Sequence, residues 1–198
     1  MIDAHVHVFA KVSAQFPRDV DEVTPAESEA TAEQLLQQMQ DTGVEKANLV
    51  QIGGTAFEQH AYLLHCLKTY PDRFRGIGLV DDPAHPEEQM DRLAGEGGVI
   101  GFRLFSIGGE RDPLAPIDVR TFDTYKIWKH AAEKDYVIWL YPPAAENHCV
   151  PFLVDAFPEL TVVFNHMAFC PGEGSFSYDD AGRPRIDLPI PPITRYNT

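Results

Sequence analysis

Ile2-Asp3-Ala4-His5-Val6-His7-Val8-Phe9 alternates apolar residues with Asp3, His5 and His7, the period of two that marks a strand. Residues two apart on a strand project to one side, so both imidazoles share a face with the Asp3 carboxylate. A polar, proline-containing stretch, residues 11–30, comes next. A connection of that length inside a compact domain is usually functional or disordered, and it reads as a loop over one face of the sheet. Thr31 caps a helix with Gln34 at its third position, and Leu35, Leu36 and Met39 give that helix an apolar stripe before Gly43 stops it.

The alternation then repeats. Residues 44–52 are strand-like, Gly53-Gly54 breaks them, and residues 57–70 place Ala61, Leu64 and Leu67 at helical spacing. Further strands are expected over 75–80, 99–105, 136–141 and 160–164, and helices over 86–93, 121–134 and 149–157. Strands alternating with helices at this spacing imply parallel strands joined by right-handed crossovers, in a barrel or in an open doubly wound sheet. About six β/α units are legible, where a closed barrel of this kind uses eight. Residues 171–198 hold many prolines and glycines without a strand or helix period, so the chain is expected to end in a loop.

The 198 residues are 44% hydrophobic, enough to bury one core, and a single domain over 1–198 is expected. The formal net charge of -14 disfavours nucleic acid and anionic membrane surfaces as partners. Cys66, Cys149 and Cys170 are widely spaced and odd in number, which reads as reduced thiols. With neither a signal-peptide core nor a membrane-length apolar run, a cytoplasmic location is expected.

The His5/His7 pair suits one divalent ion, zinc above all, which would lower the pKa of a bound water and supply hydroxide. Asp3 could support that site from beneath. The alternative is a pair of partly buried polar residues without a ligand. His166 follows the sixth strand directly, at the carboxyl end where parallel α/β folds gather functional groups, although a lone histidine there is also an ordinary surface residue. Arg103, within Gly101-Phe102-Arg103-Leu104-Phe105, is a cation in an otherwise buried strand. It needs an anionic partner, either a substrate carboxylate or an internal Asp or Glu. Tyr141 ends the fifth strand and either hydrogen-bonds a substrate oxygen or caps the barrel with its ring. His60, His65, His85, His130 and His148 read as surface residues on helices or turns. Cys170 lies near His166, but one cysteine beside one histidine without an orienting partner is weak evidence for a thiol nucleophile and is discounted. The Gly53-Gly54 and Gly108-Gly109 pairs sit in no phosphate-binding pattern and read as turns.

Taken together, the opening His5-Val6-His7, the segment Gly101-Phe102-Arg103-Leu104 and the later Phe164-Asn165-His166-Met167 resemble the amidohydrolase superfamily, in its amidohydrolase-related group. The resemblance spans nearly the whole chain and implies a TIM-type (β/α) barrel, here with about six of its eight units. The group contains lactonases, 2-pyrone-4,6-dicarboxylate hydrolases and metal-dependent decarboxylases. It implies catalytic roles for His5, His7 and His166, the same three as ligands if a metal is bound, and Arg103 and Tyr141 as substrate-binding groups. Many members carry a histidine at the end of strand five, where this chain has Trp139-Leu140-Tyr141. That departure favours the lactonase and pyrone hydrolase branch, in which metal-free operation is the alternative to a zinc site.

The group's water-activating aspartate, on strand eight, is expected beyond residue 198, so the polypeptide resembles a fragment of a longer enzyme or a truncated product. The expectation is hydrolysis of a small anionic lactone or ester. The rivals are a decarboxylase of the same fold and a non-catalytic incomplete barrel that closes its edges by forming a homo-oligomer.

Overall fold

The computed structural model describes residues 1–108, 116–168, 175–178 and 184–187. Six strands form one parallel sheet: β1 (Ile2–Val6), β2 (Lys46–Val50), β3 (Phe74–Gly78), β4 (Val99–Leu104), β5 (Val137–Leu140) and β6 (Val162–Phe164). Their spatial order is their sequence order, and the sheet curls into a half-barrel. Helices α1 (Ala32–Thr42), α2 (Ala61–Thr69), α3 (Glu87–Gly95), α4 (Tyr125–Lys134) and α5 (Val150–Ala156) make the crossovers. The expected alternation is therefore present, as the incomplete barrel.

The period of two within each strand divides the apolar residues between two layers. Leu49, Phe74, Phe102, Ile138 and Leu140 face outward and pack with Leu35, Met39, Leu67, Trp128 and Leu153 of the helices. Val50, Ile77 and Trp139 form a second, smaller cluster with Ile100, Val137 and Val163 on the concave side. Arg103 pairs in register with Trp139, and Trp139 with Val163, so the arginine belongs to this inner layer. Gly101 allows the close approach of β4 to β5, because a Cβ there would run into the Val137 carbonyl.

Local chemistry sets the element ends. The Thr31 hydroxyl accepts from the Gln34 amide and the Gln34 side chain accepts from the Thr31 amide, the reciprocal cap that the sequence signals. Gly43 ends α1 in the left-handed region at φ 73°. Residues 11–30 form the expected loop, held by a single guanidinium. Arg18 donates to the carbonyls of Ala10, Thr24, Pro25 and Ser28 and lies over the Phe9 ring. The amide of Asp19 donates to the carbonyl of Gly53 at 2.7 Å, which fastens the loop to the end of β2.

Four expectations need correction. The first strand is shorter than residues 2–9, ending at Val6, and Phe9 instead bridges Ala30 in the antiparallel sense. The tail contains β7 (Ser175–Tyr178) paired antiparallel with β8 (Pro184–Asp187). Its four-residue strands are too short to register against the surrounding prolines and glycines. His60 is wholly buried rather than superficial, with Nδ1 donating to the Ala56 carbonyl and Nε2 accepting from the Leu79 amide. His130 is also buried, bonded to Asp91 at 2.8 Å. His65 and His85 are exposed as expected, and His148 is half-buried. Cys66 and Cys149 are buried and form no disulfide, and Cys170 lies outside the described residues. No described helix is long and apolar enough to cross a membrane.

Candidate functional site

The carboxyl ends of β1, β4, β5 and β6 bring His5, His7, Arg103, Tyr141 and His166 into one group. The His5 and His7 rings meet edge to face at 4.9 Å. The His5 and His166 centroids are 5.0 Å apart, and those of Tyr141 and His166 4.9 Å. The Arg103 guanidinium lies 5.2 Å from the Tyr141 ring centre and 4.4 Å from that of Phe105. Five residues dispersed between positions 5 and 166 are thus assembled by topology alone.

Hydrogen bonding fixes the state of His7. Its Nδ1 lies 2.8 Å from the carbonyl of Val50, and a carbonyl only accepts, so Nδ1 carries the hydrogen and Nε2 of the neutral ring is an acceptor. That Nε2 is 3.3 Å from Nε2 of His5. A hydrogen bond between them requires His5 to donate through Nε2, which leaves the buried Nδ1 of His5 without a partner. Asn165 sits beside His5 with only 2% of its surface exposed, and neither end of its buried amide makes a hydrogen bond of full geometry with a described residue, although its proximity favours the charged form of the His5 ring. Unsatisfied buried groups cost stability, and here they cluster at the end of one strand. His166, the next residue, adopts a left-handed backbone at φ 49°, a strain that persists where surrounding structure imposes it.

Electrostatics keeps the imidazoles neutral. Burial, reinforced by the charges of His7 and Arg103, pushes His5 down to about 4. Burial likewise lowers His7 and His166, with Arg103 adding to both. Arg103 is the contrasting group: it is only 7% exposed, its Nε is buried without a partner, and it makes no ion pair with a described carboxylate. A guanidinium stays charged even when burial lowers its pKa, as it does here. Of the two alternatives for its counterion, an internal Asp or Glu finds no support among the described residues.

A cavity of about 410 Å3 is lined in part by Arg103, Phe105, Leu79 and Ile52, and Arg103 is the member of this group that reaches it. Sequence reasoning missed Phe105, half-exposed at the mouth. It also missed Asn165, and Gln51, whose buried amide donates to the carbonyls of Ile52 and Gln59 and shapes the turn after β2. Glu146 was equally silent in the sequence. Its carboxylate accepts from the Ser106 hydroxyl at 2.9 Å and from the amides of Ile107 and Gly108, which anchors the loop after β4.

The amidohydrolase family profile matches residues 2–187 of this arrangement. The chain belongs to the amidohydrolase family. This amidohydrolase is similar to the structure of a probable 2-pyrone-4,6-dicarboxylic acid hydrolase from Acinetobacter baumannii with citric acid bound. The identity is 24% over 84% of this chain and 58% of that one, with a TM-score of 0.63. A Burkholderia multivorans amidohydrolase with bound zinc aligns at 19% identity over 84% and 57% of the two chains, TM-score 0.60. A dihydroxybenzoic acid decarboxylase from a Polaromonas species, with manganese and the inhibitor 2-nitroresorcinol, aligns at 17% over 71% and 55%, TM-score 0.51. These likenesses establish the fold, and the chain spans less than three-fifths of each relative. No curated protein matches it.

The site can be tested for a divalent ion on its own geometry. Two nitrogens sharing a tetrahedral zinc, each at about 2.0–2.1 Å, lie roughly 3.3–3.4 Å apart. The His5 and His7 Nε2 atoms, 3.3 Å apart, match that edge. Catalytic zinc uses three protein ligands, however, and no group of three His, Cys, Asp or Glu among the described residues is arranged to hold an ion. The described residues supply half a metal site, so the chemistry is derived below from the side chains themselves.

Proposed function

We propose that this amidohydrolase serves the hydrolysis of a small carboxylated lactone or related ester. The observation that carries the reading is Arg103, a buried and permanently charged group with no described carboxylate partner, which lines a cavity and meets the histidine group through the Tyr141 ring. A substrate carboxylate supplies the missing counterion, in the bidentate geometry that a guanidinium favours. The scissile carbonyl is then held against His5, His7 and His166. His7 donates to the Val50 carbonyl and His5 to His7, so His166 is the imidazole left to direct an N–H at that oxygen and to stabilise the negative charge that develops as water attacks, commonly the largest single contribution in such catalysis. Tyr141, between Arg103 and His166, closes the carboxylate side of the site. If an ion is used, His5 and His7 are the pair to receive it, with His166 as the family-implied third ligand.

Turnover of a panel of small carboxylated lactones, followed by proton release, tests the reading. Hydrolysis is expected, with a loss of at least about a hundredfold in His166→Ala, the scale of a removed oxyanion donor, and a loss in His5→Ala, whose ring packs against His166. Full activity in both variants overturns the assignment. The second reading, decarboxylation, is favoured by the likeness to the Polaromonas decarboxylase. It would appear as carbon dioxide release without consumption of lactone.

A further inference from the structure

Among the described residues three charged groups line the cavity, Arg103, Asp19 and Asp21, while the Arg18 guanidinium behind the rim is taken up by backbone carbonyls. Arg103 is buried, whereas both aspartates are exposed, which puts the cation at the floor and the carboxylates at the rim. The rim is fixed in place. Oδ1 of Asp19 accepts from the Gln59 side chain at 2.6 Å, and Oδ1 of Asp21 accepts from the Val23 and Thr24 amides and the Thr24 hydroxyl. The Arg18 clasp holds the same loop. Bonds from Thr24 also hold the Asp21 carboxyl below its ordinary range, so it is an anion near neutrality. The three histidines of the site are not part of this lining. The cavity lining therefore offers one cation and two anions, on an otherwise largely apolar wall that includes Ile52, Leu79 and Phe105.

We infer that this cavity selects a singly charged carboxylate with an apolar body, and that Asp19 and Asp21 discriminate against a second carboxylate. The first charge reaches Arg103, while a second finds no described cation and faces the two rim aspartates. This rests on the reading of Arg103 as the carboxylate anchor and narrows it. A dicarboxylic acid, the substrate type named for the Acinetobacter relative, is the ligand this charge pattern disfavours.

The test compares the affinities of benzoate and isophthalate for the full chain by NMR titration at low salt. Benzoate is expected to bind about tenfold more tightly, since one like charge at close range in a high effective dielectric is worth on the order of 1.4 kcal/mol, the equivalent of tenfold. The double variant Asp19→Asn, Asp21→Asn keeps the oxygens that accept the loop bonds. It should tighten isophthalate toward benzoate while leaving benzoate within about twofold, and salt should narrow the wild-type gap in the same way. Equal or tighter binding of isophthalate by the wild type overturns the inference and leaves the Arg103 anchor standing, as does an unchanged ratio in the double variant. Failure of both probes to bind, or benzoate binding unaffected by Arg103→Gln, overturns the anchor and the inference together.

Discussion

Replacing Arg103 by methionine should make the protein more stable and unable to bind a carboxylate. The guanidinium is 7% exposed with an unpaired Nε, and taking an ion out of water costs several kcal/mol even after relaxation. Two cation–π contacts, at 4.4 Å to Phe105 and 5.2 Å to Tyr141, return about 0.5–2 kcal/mol each. Methionine preserves most of the apolar stem that packs on the inner layer and removes the charge. The net gain is about 1–3 kcal/mol, within the range seen when buried ionic groups are replaced by apolar residues of similar volume. At about 2–4 °C per kcal/mol for a chain of this size, the midpoint rises by roughly 2–12 °C.

Scanning calorimetry with and without benzoate reads both effects. Ligand at a hundredfold its Kd should stabilise the wild type by about 2.7 kcal/mol and leave the variant unmoved. A variant that melts below the wild type and still responds to benzoate would refute the reasoning, since the guanidinium would then be satisfied from within.

Three further outcomes follow from individual contacts. His60 is buried neutral with both nitrogens bonded, and burial holds its pKa below 6.5. The unfolded chain therefore takes up that proton first, so the stability His60 contributes is complete above about pH 6.5 and is lost as pH falls. His5, pushed down to about 4, acts in the same sense. A urea midpoint as high at pH 5 as at pH 7.5 would contradict this. Gly101→Ala forces a Cβ into the Val137 carbonyl of the neighbouring strand and should destabilise by at least about 1–3 kcal/mol in denaturant titrations; a neutral result would mean that β4 and β5 are not held this closely. Glu146→Gln retains one acceptor but turns an amide toward donors, at a cost of about 1–3 kcal/mol. Hydrogen exchange at Ile107 should accelerate, and unchanged protection would show that the carboxylate does not anchor this loop.

How much of this was legible before the structure depends on how local the signal is. The cap at Thr31 and the stop at Gly43 are set by neighbours in sequence and both expectations matched, whereas the alternation around His5 located the first strand but overran its end at Val6. The gathering of Arg103, Tyr141 and His166 followed from parallel topology, because a right-handed βαβ path delivers every strand end to one face. Asn165 and Glu146 were not legible, since their burial and partners come from packing across elements. His60 and His130 were misjudged for the same reason: a helical histidine reads as polar until the far strand or helix supplies its hydrogen bonds. The β7/β8 hairpin escaped notice because alternation over four residues does not rise above a proline-rich background.

The measurement that tests the central claim most directly is hydrolysis of a carboxylated lactone in water enriched in heavy oxygen, followed by mass spectrometry of the product. The account predicts a ring-opened acid carrying one solvent oxygen, formed by the wild type and greatly reduced in His5→Ala and Arg103→Gln. Carbon dioxide release with no incorporated oxygen, or equal incorporation by all three proteins, would contradict it.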